Sequence, residues 1–447
     1  MEIQDFYGRL VPTNQISKAE YEKFALVVTR LTTFIGSRCR RCNTKHVRDW
    51  RIPNGAKYCG ACIGLGRISD NEEFWTITEP NQFVNPQPLT WEGQLTEQQQ
   101  RVVTEVMGHQ GNHLVWAVTG AGKTEMLFPI IEQALQQRKR VAVVAPRVDV
   151  VIELAPRLQA AFATTSMTVL HGRQTEPYAY TQLVLGTTHQ LLRFRDAFDL
   201  LIIDEVDSFP FIGEPMLHVA ARAAVKESGR TLYLSATPDH RTRAKKLTTS
   251  YLPLRFHGHL LPMIVEKTVG NWRNQVKRNQ LPRRLVRQLQ TYQKTGQRFL
   301  LFVPTVADLL PIAALIQKYC PVLEILTVHA KDEARLTKVQ TMRDHNVQGL
   351  LTTTILERGV TFPDIDVLIL GADDQTFSPN ALVQIAGRAG RKPSRPTGLV
   401  MALVSSKSWR VWSARQQIIK MNHRGQQLQL IAQQKRSEVI GEASDEL

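Results

Sequence analysis

Three features of the sequence predict an α/β protein of two tandem domains with parallel sheets, preceded by a small four-cysteine module. Short apolar runs rich in β-branched residues alternate with helix-period segments, and they do so in two successive series. A glycine-rich loop, "AVTGAGKT", follows the first run and opens a helix-period segment. Four of the five cysteines of the 447-residue chain stand in two Cys-x-x-Cys pairs near its start.

The cysteine module comes first in the chain. Cys39-x2-Cys42 and Cys59-x2-Cys62 are separated by sixteen residues, a spacing typical of four-thiolate zinc sites. Each pair can form a tight knuckle that aims two sulfurs at one ion, and "PNG" at 53–55 supplies a turn between them. A disulfide framework fits poorly, because the start "MEIQDFYGRL" lacks the basic-then-apolar pattern of a secretory signal. Four protein sulfurs leave no open coordination position, so the expected Zn2+ is structural. The fifth cysteine, Cys320, reads as an ordinary buried thiol.

The formal charge of +16 is concentrated. Residues 38–67 hold eight Lys/Arg and one acid, Asp49, and residues 272–298 hold eight Lys/Arg and no acid. Two local basic patches point to a polyanionic partner. In the first, Arg38, Arg40, Arg41, Arg48 and Arg51 with Trp50 and Tyr58 read as a nucleic-acid surface. In the second, Leu281, Leu285 and Leu289 recur every fourth residue, which predicts a helix that buries this edge and exposes Arg283, Arg284 and Arg287. The longest apolar run, "LVMALV", is far short of the roughly 18 residues of a membrane span. A cytoplasmic protein is expected.

Candidate strands of the first series are "HLVWAV", "RVAVVAP", "FDLLIID" and "TLYLSAT". Those of the second are "RFLLFVP", "LEILTVHA", "VQGLLTTT", "IDVLIL" and "GLVMALV". The expected division is an N-terminal region at 1–90 with the zinc module at about 37–66, a first α/β domain at 91–255, and a second at 256–447. The last ends in a helical tail that is Gln-rich near 416–434.

Chemistry concentrates in the two larger domains. In "AVTGAGKT" the small residues Thr119, Gly120, Ala121 and Gly122 let backbone N–H groups surround phosphates. Lys123 is expected to reach the β- and γ-phosphates of ATP, and the Thr124 hydroxyl to ligate Mg2+. "LLIIDEVD" ends a strand with Asp204, placed to hold Mg2+ through water, and Glu205, placed to polarise the attacking water. "LSATP" follows at 234–238. "QIAGRAGRK" carries Gln384, Arg388 and Arg391; the two arginines, read as lying on one helix face, can neutralise charge on the γ-phosphate.

In this order the motifs resemble those of superfamily 2 helicases and translocases, over roughly residues 91–405. That resemblance implies two RecA-like domains, with the arginines of the second completing a nucleotide site built by the first. It implies that "LTEQQQ" is the adenine-reading Gln motif, with Gln99 as reader. "APRVDVV", "GTTHQLL" and "FVPTV" resemble motifs that contact the nucleic-acid backbone, and "TTTILERGVTFPDIDVLIL" resembles motif V, with Thr353, Glu357, Arg358 and Gly359. It further implies that Asp207 and Ser235–Thr237 couple nucleotide state to domain contact.

The form "TTILERGV…QIAGRAGR" behind a four-cysteine module is similar to the ComFA family, late-competence ATPases with a PriA-like motor. This implies an ATP-driven translocase of single-stranded DNA in natural competence. It also implies work at the inner face of the cell membrane, with a ComFC-type protein and the ComEC channel as partners. A replication-restart helicase of the PriA type is the runner-up, set back by cysteines that precede the motor. A zinc-dependent nucleic-acid-binding adaptor with a weak ATPase is the reading from another class.

Overall fold

The computed structural model describes residues 1–45, 50–84, 87–172, 177–239, 242–243, 247–358 and 362–445, with side chains to 434. The chain divides into two compact units, Met1–Trp116 with Lys123–Tyr251, and Leu252–Leu447 with the segment Ala117–Gly122.

The N-terminal region holds β1 (Val11–Pro12), β2 (Thr29–Thr32), β3 (Phe34–Ile35), β4 (Arg38–Cys39) and β5 (Glu73–Thr76). They form an antiparallel sheet in the order β1-β5-β2 and a separate β3-β4 hairpin. Phe6, Val11, Phe24 and Trp75 make its small core. The region is built into the first unit. Leu10 N–H donates to Arg193 O (2.8 Å), and Arg195 N–H donates to Gly8 O (2.9 Å). Gly8, at φ +61°, passes so close to Ala197 that any Cβ would lie 2.7 Å from the alanine Cβ. Beside this contact the fully buried Arg140 pairs with the fully buried Glu79 at 2.7 Å. Its guanidinium also donates to the carbonyls of Tyr7 and Thr181 and to the Tyr178 hydroxyl. A buried ion pair is tolerated only when saturated with hydrogen bonds in this way, and breaking one costs about 3–5 kcal/mol.

The first unit's large sheet holds β6 (His113–Ala117), β7 (Val141–Ala145), β8 (Met167–Leu170), β9 (Leu183–Thr187), β10 (Phe198–Ile203), β11 (Val225–Ser235) and β12 (Thr248–Leu252). Their order is β12-β6-β11-β10-β7-β9-β8, and the ladders described from β6 through β8 are parallel. Every residue of β6, β7 and β9 is buried, as expected for strands covered by helices on both faces.

In the second unit, β13 (Ile264–Thr268), β14 (Arg298–Phe302), β15 (Ile325–Val328), β16 (Gly349–Thr352), β17 (Ile365–Leu370) and β18 (Val400–Val404) form a fully parallel sheet in the order β13-β18-β17-β14-β16-β15. Both large sheets are those of RecA-like domains. The nine predicted strands are present. The sequence reading missed β8, β9, β12 and β13, none of which combines a long apolar run with clear flanking turn residues. The helical tail spans Trp409–Asp445. Among the described residues, no helix is long and apolar enough to cross a membrane.

Candidate nucleotide and zinc sites

The four cysteines converge. All four Sγ atoms lie within 4.8 Å of one another, with Cys39–Cys62 at 3.8 Å and Cys42–Cys59 at 3.6 Å. A tetrahedral ion with bonds of about 2.3 Å needs sulfurs about 3.8 Å apart, so the thiolate set fits Zn2+. Each knuckle is held by the backbone: Asn43, at φ +58°, donates its N–H to Cys39 O, and Cys59 N–H donates to Ile68 O. All four cysteines are buried, in one apolar cluster with Ile68, Phe74, Phe194 and strand residues such as Val144 and Ile203.

Arg41 departs from its sequence reading. It is buried, with Nε 3.2 Å from Cys62 Sγ and the other guanidinium nitrogens on the carbonyls of Cys62, Leu65 and Gly66. Its charge would offset the net negative charge of a zinc centre with four thiolates, and its burial withdraws it from a nucleic-acid surface. Trp50 is half-buried, with its ring against Gly60, where a Cβ would meet it at 2.9 Å. Arg38 and Arg51 remain exposed. Arg48 lies outside the described residues.

At the nucleotide motif, β6 leads through the loop into the helix Lys123–Gln136. Gly120 (φ +79°) and Gly122 (φ +72°) adopt the left-handed backbone that turns successive N–H groups to one side. Lys123 Nζ is 3.0 Å from Asp204 Oδ1. Burial works against the lysine charge, but Asp204, Glu205 and Asp207 together hold its pKa above the usual value. Asp204 also accepts the Glu205 N–H at 2.8 Å. Glu205 sits at φ +52°, an uncommon conformation for a glutamate and of a kind that clusters at functional sites. Asp207 accepts hydrogen bonds from Ser235 Oγ (2.7 Å) and Thr237 Oγ1 (2.5 Å), which ties the "DEVD" turn to "SAT". Thr124 is buried one position after Lys123. The Thr124 hydroxyl and the Asp204 and Glu205 carboxylates match the hard-oxygen preference of Mg2+.

Gln99 occupies the third position of the helix Glu97–Met107, where its Oε1 accepts from Thr96 N–H (2.8 Å) and Thr96 Oγ1 (3.0 Å). Its amide oxygen thus closes a capping box.

The arginine motif also differs from expectation. Gln384 is buried on the helix Pro379–Ala386, but that helix stops at Gly387. Arg388 and Arg391 follow in a turn with Gly390 at φ +66°, so they do not share a helix face. Arg388 Nε donates to Glu357 O (3.1 Å) and Arg391 Nε to Gly387 O (3.2 Å). Glu357 and Arg358 of the motif V segment lie 3.7 Å apart, and Gly359 lies outside the described residues.

On the second basic stretch the reading holds. In the helix Arg283–Thr295, Leu285 and Leu289 are buried, as is Leu281 before it, while Arg283, Arg284 and Arg287 are exposed. Arg298 instead points inward, bonded to the Met342 carbonyl and the His345 ring. One surface was missed. Trp409 and Trp412, three residues apart on the C-terminal helix, are 63% and 62% exposed. They begin a run with Arg410, Arg415, Lys420 and Arg424 and no acid through residue 436. A charge count in sliding windows finds it.

Family models match twice: DEAD/DEAH box helicase over residues 96–245, and helicase conserved C-terminal domain over residues 280–393. The chain is 39% identical over 398 residues to competence protein ComFA of Bacillus subtilis (strain 168), covering 86% of this chain and 85% of that protein. The chain belongs to the ComFA family. With competence protein ComFA of Streptococcus pneumoniae, identity is 37% over 404 residues, covering 88% and 92% of the two chains. Among solved structures, S. cerevisiae Dbp5 bound to RNA and ADP BeF3 shares the fold, with a TM-score of 0.54 at 15% identity over 73% of this chain and 88% of that one. This ComFA-family protein is therefore an ATPase of the superfamily 2 helicase type, a class that works with ATP and Mg2+.

Proposed function

We propose that this protein is an ATP-driven translocase of single-stranded DNA that powers the import of transforming DNA in natural competence. The observation that supports the reading is similarity over 86–88% of this chain to two proteins named for competence. In this reading Lys123 and the loop 119–122 bind the phosphates, and Thr124 and Asp204 hold Mg2+. Glu205 orients the attacking water, and Arg388 and Arg391 supply positive charge to the γ-phosphate. Gln99 contributes to adenine recognition through its amide nitrogen. Asp207, bonded to Ser235 and Thr237, relays nucleotide state.

The strand is held by charge and stacking. Arg283, Arg284 and Arg287 contact phosphates, and Trp409 and Trp412 offer flat apolar faces to unpaired bases at the start of a basic helix stretch that holds no acid through residue 436. We place its work at the inner face of the cell membrane, next to a ComFC-type protein and the ComEC channel.

The test is ATP hydrolysis by the purified full chain with single-stranded DNA, duplex DNA and RNA, each titrated with salt. Stimulation by single-stranded DNA above the other two supports the reading. Stimulation by forked duplex with strand separation replaces it by a PriA-type helicase. Tight DNA binding with no stimulated hydrolysis replaces it by an adaptor.

A further inference from the structure

Arg255 is entirely buried, an unusual place for a guanidinium, and its donors converge on one loop. Nη1 donates to the carbonyls of Ala389 (2.6 Å) and Gly390, and Nη2 donates to the carbonyl of Gly387 (3.3 Å). These carbonyls belong to the turn that carries Arg388 and Arg391. A helix that ends at Ala386 leaves its final C=O groups without helical donors, and the turn beyond has no regular pairing of its own. One planar, five-donor side chain supplies what the backbone lacks. His257 Nε2 adds a contact to Gly390 O at 3.2 Å.

The link to Arg391 is direct. Arg391 Nε and Arg255 Nη2 both donate to Gly387 O, so one carbonyl fixes both guanidiniums. Gly390 fits this arrangement and little else does: its φ is +66°, and a Cβ there would lie 2.9 Å from Arg255 Nη1 and 2.3 Å from Pro396 O. Burial, followed by the nearby Arg391 charge, pushes the Arg255 pKa down to about 9, still protonated at neutral pH. The segment is itself anchored: Arg255 N–H donates to His259 O, and Phe256 N–H donates to Gly120 O within the same compact unit.

We propose that Arg255 is the positioning residue for the arginine turn, holding Arg388 and Arg391 in the geometry that ATP hydrolysis requires. It acts through the carbonyls of Gly387, Ala389 and Gly390. The proposal rests on the assignment of Arg388 and Arg391 made above.

The test uses the full chain carrying Arg255→Gln, Arg255→Lys, Arg391→Gln and the Arg255→Gln/Arg391→Gln pair. Turnover, KM for ATP, zinc content and unfolding temperature are measured for each. Misplacing a catalytic group by about 1 Å can cost up to about 100-fold in rate. Arg255→Gln is expected to lower turnover within that range while KM for ATP stays within about twofold. Arg255→Lys, which keeps the charge but not the fork, should fall between Arg255→Gln and wild type. If Arg255 works through the two arginines, the loss in the pair should be clearly smaller than the product of the two single losses. Fully multiplicative losses in the pair, an unchanged rate in Arg255→Gln, or loss of the fold in both Arg255 variants would each overturn the proposal. A wild-type rate in Arg391→Gln would instead overturn the arginine assignment beneath it.

Discussion

The zinc cluster and the nucleotide motif are both small sets of ionisable groups, but they are built on opposite plans. The four cysteines are buried, mutually close and held by backbone knuckles, with the Arg41 guanidinium bonded to Cys62. Around Lys123 the groups satisfy one another only provisionally: the lysine leans on Asp204, and Glu205 holds an uncommon backbone conformation. A lysine–carboxylate pair can be released when phosphates and Mg2+ arrive. One site is a permanent part of the core, whereas the other is a set of contacts poised to be traded. Changes at the first should move stability, and changes at the second should move rate.

The largest effect is expected at zinc. Purified protein should contain one Zn2+ per chain, and Cys59→Ser should lose it. Structural zinc contributes about 10–16 kcal/mol to folding in small zinc peptides. Here the cysteines share an apolar cluster with Phe194 and strand residues of the first large sheet. The loss should therefore lower the unfolding temperature of the whole first unit and not merely unravel a tail. An unchanged unfolding temperature after zinc loss would show the module to be energetically separate.

Next in size are Lys123→Ala and Glu205→Gln. Losing one preorganised charged or hydrogen-bonding group costs on the order of 100-fold or more in turnover. Zinc content and unfolding temperature should stay near wild type, since neither side chain belongs to an apolar cluster. If these variants unfold as readily as Cys59→Ser, the contrast between the two sites fails.

How far the sequence could be read follows the same contrast. The cysteines were legible because metal chemistry fixes residue type and spacing together. The phosphate loop and "DEVD" were legible because phosphate and Mg2+ demand particular residues at a strand end. What escaped were features set by three-dimensional packing. Arg41 counts as one more surface charge until the fold turns it onto Cys62. Arg388 and Arg391 look like helix neighbours until Gly387 stops the helix. Arg140 and Glu79 lie 61 positions apart, and no local pattern marks them as a pair. Arg255, in a segment with no motif, shows its role only through the carbonyls it meets.

The remaining predictions ask whether the exposed basic regions differ from the buried ones in the same way. Replacing Arg283, Arg284 and Arg287 by Gln should leave unfolding temperature and DNA-free hydrolysis unchanged, because all three are exposed. Each phosphate contact on a single strand contributes about 0.7 to the slope of log affinity against log salt. Losing three should flatten that slope by about two units, equally for all sequences. An unchanged slope, measured by fluorescence anisotropy across a salt series, would make this stripe a merely solvated face.

The smallest effect is expected from Trp409→Ala and Trp412→Ala, and it separates stacking from charge. Both rings are largely exposed, so removing them leaves no cavity and should not change the unfolding temperature. Stacking of one base on an aromatic ring contributes about 1–3 kcal/mol, which corresponds to roughly a 5- to 150-fold change in affinity. The lower end is the expectation here, because an exposed ring on one helix offers a platform on one side only. The salt slope should stay at its wild-type value, since no ion contact is lost, and this distinguishes the pair from the arginine stripe. An abasic single strand should bind wild type and variants alike, because it has charge but no rings to stack. If the tryptophan variants instead lose affinity equally for normal and abasic strands, stacking is not their role. If DNA binding is untouched, the same apolar face is left to a protein partner, and a pull-down with a ComFC-type protein would then separate wild type from variant.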